Sequence, residues 1–235
     1  MGAMKKIFII HGWTYTLFKW DKLLELIKLA GYEPVMLKVP GLTEAHNQPL
    51  TLDDYVEWLK GKLAGQESPI VVGHSNGGRI ALAFLDKYPA GLKLLVLEDS
   101  AGIYPNQWPK RVKRFVFKLL ADAGKKITSS EILRKLLYKL AGEADYKNAP
   151  LHMRKTLSNL VSVDLTPVLN KVSVPTLIVW GARDKATPLS DGKLMHKQIK
   201  NSEFFVISDA GHSPHFSHAE KVCEKIISFT KQHGF

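Results

Sequence analysis

Ser75 stands in Gly73-His74-Ser75-Asn76-Gly77, a G-x-S-x-G pattern between the apolar run Ile70-Val71-Val72 and a helix-spaced segment from Ile80 to Lys87. A serine raised on a tight strand-to-helix turn needs small neighbours two residues before and after it, because the strained backbone leaves no room for a Cβ. The turn also sets the hydroxyl at the positive end of the following helix, where negative charge is favoured. A serine hydroxyl is a weak nucleophile at neutral pH and needs a base within hydrogen-bond reach, itself oriented by a carboxylate. Later segments supply both. Asp184 lies in Gly181-Ala182-Arg183-Asp184 after the run Thr176–Trp180, and His212 lies in Gly211-His212-Ser213-Pro214 after Phe204–Ile207. Both follow strand-like runs, at the edge where open α/β sheets build their sites.

Other residues compete for these roles. Asp99 follows the run Leu92–Leu97 and is a second candidate acid. His215 and His218 are expected to begin the last helix, and Asp209 stands too near His212 along the chain to orient it and is expected to be solvated. An acyl-transfer reaction also needs preorganised donors for its oxyanion. The backbone N–H of Asn76, the residue after Ser75, is one candidate. Trp13 N–H, in the His11-Gly12-Trp13 loop after the first apolar run, is the other, with Gly12 letting the backbone turn and His11 holding the loop by a hydrogen bond. No His/Cys cluster has metal-ligand spacing, and neither a metal nor another cofactor is expected. Trp13 and Trp108 are candidate substrate-binding residues, and Tyr15, Phe18, Phe115 and Phe216 are further aromatic candidates for an apolar pocket.

The elements that must hold these residues alternate. Strands are read at Lys6–Ile10, Pro34–Val39, Ile70–Val72, Leu92–Leu97, Thr176–Trp180 and Phe204–Ile207, with helical spacing between them, as expected of a parallel sheet covered on both faces. Trp20–Leu29 closes on Gly31 as a C-capping glycine, Thr51 precedes the helix-spaced Leu52–Leu59 as an N-cap, and Glu220–Thr230 is the last helix. Between Lys110 and Asp164 the rhythm breaks. Val112 to Leu120, Ile132 to Leu140, and Met153, Leu157 and Leu160 are three helix-spaced apolar stripes with no strand between them.

This pattern resembles the α/β-hydrolase superfamily, close to the small cap-bearing carboxylesterases and C–C bond hydrolases. The likeness runs over nearly the whole chain and is carried by His11-Gly12, Gly73 to Gly78, Pro175 to Asp184 and Gly211-His212. It implies an α/β-hydrolase fold, with a six-stranded, mainly parallel sheet flanked by helices. Residues 1–104 and 166–235 form the core and 105–165 an inserted helical cap. By the same resemblance Ser75 is nucleophile, His212 base and Asp184 orienting acid. Two departures stand out: the family's two leading antiparallel strands are missing, and Asn76 is more polar than usual at its position. The expected activity is hydrolysis of short- to medium-chain acyl or aryl esters through an acyl-enzyme. Lactones, thioesters and C–C substrates share the triad, and a triad-bearing small-molecule receptor is the non-enzymatic alternative. An Asp at position 75 would be needed for a haloalkane dehalogenase or epoxide hydrolase.

Bulk properties agree. With 235 residues, 45% of them apolar, and one cysteine, the chain can bury a core without staples. Cys223 is expected to be a small buried hydrophobe. No apolar run approaches the roughly 18 residues that cross a bilayer. A soluble cytoplasmic protein, without stable membrane insertion and as a monomer or homodimer, is expected. The net charge of +11 is unevenly spread: residues 1–104 are neutral, 105–165 carry +8 and 166–235 carry +3. No aromatic interleaving accompanies the basic segment, so it is read as a solvated outer face rather than a nucleic-acid site, and a small-molecule ester is the expected partner.

Overall fold

The computed structural model describes residues 4–103 and 149–234. Six strands, β1 (Lys6–Ile10), β2 (Glu33–Met36), β3 (Ile70–His74), β4 (Leu94–Glu98), β5 (Thr176–Gly181) and β6 (Ser202–Ile207), form one sheet in the order β2-β1-β3-β4-β5-β6. Every pairing is parallel. The chain runs outward from β1 to β2 and then returns to place β3 on the other side of β1. That reversal makes a crevice between the carboxyl ends of β1 and β3, where such sheets take their ligands.

Alternation along the central strands divides the core in two. Ile7 and Ile9 of β1 face the layer of α1 (Asp21–Leu29) and the last helix, Ala219–Gln232, with Leu23, Ile27, Val222 and Ile226 fully buried there. Phe8 and Ile10 face the opposite layer, built on α2 (Leu52–Lys62) and α3 (Asn76–Lys87). Local signals set the helix ends. Thr51 and Asp54 form a reciprocal capping box at the start of α2. At the end of α1, Gly31 adopts φ 90° and Tyr32 N–H reaches back to Ile27 O at 3.2 Å, a Schellman closure that favours glycine.

Boundaries differ from the sequence reading where tertiary needs override local pattern. Helix α3 starts at Asn76, taking Gly77 and Gly78 into its first turn, and β4 runs on to include the charged Glu98. Of the three apolar stripes expected in the cap, those at 112–120 and 132–140 lie outside the described residues, as does Trp108. The third folds as α4 (Leu151–Val161), and its Met153, Leu157 and Leu160 join the same core layer as α2 and α3. Among the described residues the remaining α-helices are α5 (Leu189–Gln198), α6 (Pro214–Ser217) and α7 (Ala219–Gln232). Cys223 is buried in the α1/α7 layer as a small apolar side chain.

Candidate active site

Between β3 and α3 the backbone turns at Ser75 with φ 52° and ψ −115°, a conformation costly for a residue with a Cβ. Its neighbours permit it. A Cβ on Gly73 would come within 2.7 Å of Gly78 Cα, and one on Gly77 would run into the Ile10 carbonyl. The turn is anchored from both sides, by Ser75 N–H on Glu98 O at 3.0 Å and by Ala101 N–H on Ser75 O at 2.9 Å.

The loops after β5 and β6 are fastened to each other. Ala182 N–H donates to Ile207 O and Arg183 N–H to Ala210 O, both at 2.9 Å, and a Cβ on Gly181 would strike the Gly211 carbonyl. This close approach brings Asp184 and His212 together. His212 Nδ1 lies 2.7 Å from Asp184 Oδ2, and His212 Nε2 lies 3.0 Å from Ser75 Oγ. A carboxylate only accepts, so the proton sits on Nδ1 and Nε2 offers its lone pair to the Ser75 hydroxyl.

Asp184 is 8% exposed. Burial alone raises a carboxyl pKa, but donors outweigh it here: the His212 ring, the Thr187 hydroxyl at 2.6 Å on Oδ2, and the N–H groups of Ala186 and Thr187 at 2.6 and 3.1 Å on Oδ1. The net effect holds Asp184 below its usual range, so it remains ionised. Thr187 is absent from the sequence reading. The signal was present in Asp184-x-x-Thr187, the spacing at which a side-chain carboxylate caps its own turn.

His74 also takes part. Its Nε2–H donates to the main-chain oxygen of His212 at 2.7 Å, and burial, aided by His215 and His212, drives its pKa well below the usual value, leaving a neutral ring. His215 does not begin the last helix as expected. It sits in α6, almost wholly buried, with its N–H and Nδ1 on the two Glu98 oxygens at 2.6 and 3.1 Å and its ring stacked on Trp20 at 3.8 Å. Asp209 is exposed, as expected, and pairs with His218 at 3.1 Å.

The loop after β1 closes the other side. A Cβ on Gly12 would lie 3.0 Å from Ser75 Cβ, so glycine allows this backbone to lie directly against the serine. His11 steadies the loop, with Nδ1–H on Gly12 O at 2.8 Å and Nε2 accepting from the Thr43 hydroxyl at 2.7 Å. Among the described residues, the N–H groups of Trp13 and Asn76 have no acceptor. A cavity of about 180 Å³ opens above Ser75 and is lined by Trp13, Trp20 and His212. Thr14, Thr16, Lys19 and Ser213 also line it, making it more polar than expected. Tyr15, Phe18 and Phe216 are not in its wall: they are exposed, with Phe18 edge-on to Phe216.

His74, Asp99 and His212 each bring a possible ligand atom within 4.8 Å of the others. Three of the four imidazole nitrogens are already hydrogen-bonded, to Ser75, Asp184 and the His212 carbonyl, so this donor set does not fit a metal without dismantling the Ser75–His212–Asp184 chain. Among the described residues, no helix is long and apolar enough to cross a membrane.

The chain matches the family model of the alpha/beta hydrolase fold over residues 6–219. It is an α/β hydrolase. This hydrolase is 26% identical to a pimeloyl-[acyl-carrier protein] methyl ester esterase of Neisseria meningitidis serogroup C, over 93% of its own length and 90% of the relative's. It is 27% identical to a 2-hydroxy-6-oxo-6-phenylhexa-2,4-dienoate hydrolase of Comamonas testosteroni, over 86% of its length and 78% of the relative's. An esterase from Exiguobacterium antarcticum superposes with a TM-score of 0.74 at 20% identity, covering 98% of this chain and 93% of that one, a likeness of fold.

Proposed function

We propose that this hydrolase cleaves carboxylic esters of small molecules through an acyl-enzyme, with Ser75 as nucleophile, His212 as base and Asp184 as orienting acid. The observation that carries the reading is the continuous chain from Ser75 Oγ through His212 to Asp184, at 3.0 and 2.7 Å, mounted on a left-handed turn at Ser75. His212 Nε2 takes the hydroxyl proton as Oγ attacks the ester carbonyl carbon. The oxyanion is received by the N–H groups of Trp13 and Asn76. On collapse, His212 returns the proton to the departing alcohol oxygen. It then takes a proton from water, whose oxygen attacks the acyl carbon, and the second collapse releases the acid and restores the Ser75 hydroxyl. Asp184 stays ionised throughout and stabilises the imidazolium.

The methyl ester named for the Neisseria relative supports an ester substrate, and the small polar cavity suits a short group next to the carbonyl. Residues 105–165 would form a cap over it, with Trp13 and Trp108 against the bound substrate. The Comamonas relative supports a second reading, C–C bond cleavage on the same triad.

The deciding experiment is turnover of methyl and p-nitrophenyl esters of rising acyl length, beside a lactone, a thioester and a vinylogous diketone, by wild type and Ser75→Ala. Esters should lead the series, and the variant should lose on the order of 10⁴ or more of turnover while remaining folded. Equal turnover in Ser75→Ala removes the assignment, and preference for the diketone replaces it with the second reading.

A further inference from the structure

Asp99, at the end of β4, is the one candidate acid that the triad leaves unused. It is completely buried, and it holds φ 42°, a left-handed conformation uncommon outside glycine. Its backbone is tied to the acid's side of the sheet: Asp99 N–H donates to Val179 O at 3.0 Å, and its carbonyl lies 3.0 Å from the Thr187 hydroxyl. Its side chain points the same way. Oδ1 accepts from Gly181 N–H at 2.9 Å, whereas buried Oδ2 has no donor among the described residues.

Among the described residues, the groups facing this carboxyl are Asp184 from the loop after β5, Glu98 beside it on β4, His74 at the end of β3 and His212 from the loop after β6. None provides a cation for Asp99. Glu98 is held by His215, His74 is neutral, and the His212 proton belongs to Asp184. Two carboxylates in contact at a buried position cannot both ionise at ordinary cost. Asp184 is surrounded by four donors and Asp99 by one, so the charge belongs on Asp184 and the proton on Asp99.

We propose that Asp99 is a positioning residue that works as a neutral carboxylic acid, donating Oδ2–H to the Asp184 carboxylate and so fixing Asp184 on His212. The orphaned oxygen then becomes a donor with an acceptor in reach, and Asp184 gains a further hydrogen bond. Burial, with the charges of Asp184 and Glu98, pushes the Asp99 pKa up to about 10. Below that pH the proton is held, and above it two negative charges meet beside His212. The proposal rests on Asp184 being the triad acid.

The test compares wild type with Asp99→Ala and Asp99→Asn. Asparagine keeps an acceptor for Gly181 N–H and a donor for Asp184, and it cannot ionise. Asp99→Ala should lower kcat roughly 10- to 100-fold, the worth of one hydrogen bond to a charged group, with KM little changed. Asp99→Asn should recover most of that loss and should not share the wild type's decline in kcat as pH rises through about 10. Infrared difference spectra of wild type against Asp99→Asn at neutral pH should contain the carbonyl stretch of a protonated carboxyl, and the band should persist in Ser75→Ala. Three outcomes overturn the proposal: no such band, an Asn variant as slow as the Ala variant, or an Ala variant as fast as wild type. If Asp99→Ala fails to fold, the wild-type and Asn pair decides by band and pH profile. Undiminished turnover in Ser75→Ala would instead sink the esterase reading alone, and the band would still report the state of Asp99.

Discussion

His74, the residue immediately before Ser75, donates from Nε2 to the main-chain oxygen of His212 at 2.7 Å. The strand that ends before Ser75 therefore holds the loop that carries His212. The partner is a backbone atom, so the bond sets where the loop passes and leaves both His212 nitrogens to Ser75 and Asp184. On the other faces of the His74 ring lie Trp20 and His215, at centroid distances of 5.8 and 4.6 Å, which fix its orientation.

His74→Phe should keep this aromatic packing while removing the donor. The expected result is a kcat about tenfold lower and an unfolding midpoint lowered by a few degrees, both from one lost hydrogen bond and an unpaired carbonyl. Steady-state kinetics and a thermal melt on the same sample check it. A kcat within about twofold of wild type would show that the β6 loop holds His212 unaided.

A parallel argument applies to Thr187, whose hydroxyl donates to Asp184 Oδ2 at 2.6 Å. Asp184 is buried, which raises its pKa, but the His212 and Thr187 bonds and the Ala186 N–H bring the net shift below the usual value. A depressed carboxyl pKa contributes stability that is present above the unfolded value and lost as pH falls through the folded one. Thr187→Val removes the short bond to Asp184 Oδ2 together with the longer contact, 3.0 Å, to the Asp99 carbonyl. Acid unfolding should set in at higher pH than in wild type, and kcat should fall about tenfold at the plateau. Unfolding followed by circular dichroism as pH is lowered decides it, and an unmoved acid transition would falsify the role given to this hydroxyl.

That Ser75, Asp184 and His212 meet was legible from residue type and local context, because each follows a strand at one edge of the sheet. Gly73 and Gly77 are demanded by a steric fact about one turn, which the structure returns as Cβ positions overlapping Gly78 and Ile10. The six strands were legible from apolar runs, most plainly in β1, β3, β4 and β5, which are buried along nearly their whole length, whereas the edge strands β2 and β6 are only partly buried. Thr187, Glu98 and the burial of His215 were not. Glu98 reads in sequence as a charge ending a strand, and only the parallel register that sets it beside His74, with α6 folded over it, makes it a buried partner for His215. The pocket aromatics misled for the same reason: Phe18 and Phe216 pack edge-to-face on each other, a contact that neither run of sequence encodes.

Arg79 on α3 is 4% exposed and donates from Nη1 to Leu160 O at 2.6 Å and Val163 O at 2.9 Å. Leu160 is in the last turn of α4 and Val163 lies just beyond its C-cap, at the end of the helix where oxygens are unsatisfied and a cation is favoured. Burial lowers the guanidinium pKa to about 10, opposed by Asp164, which leaves it charged through the neutral range. This one side chain thus ties the helix that begins after Ser75 to the segment that follows residue 148. Arg79→Met keeps the apolar stem and strips the donors, leaving Leu160 O with the longer bond from Val163 N–H at 3.3 Å and the Val163 carbonyl without its guanidinium donor. Urea unfolding should report about 2–4 kcal/mol of lost stability. Arg79→Lys, with a compact head that cannot reproduce the guanidinium's reach, should recover only part of it. Because the Arg79 side chain does not line the cavity, kcat of the folded fraction should change less than it does in His74→Phe. A Met variant as stable as wild type would mean that the apolar contacts of Met153, Leu157 and Leu160 hold α4 by themselves.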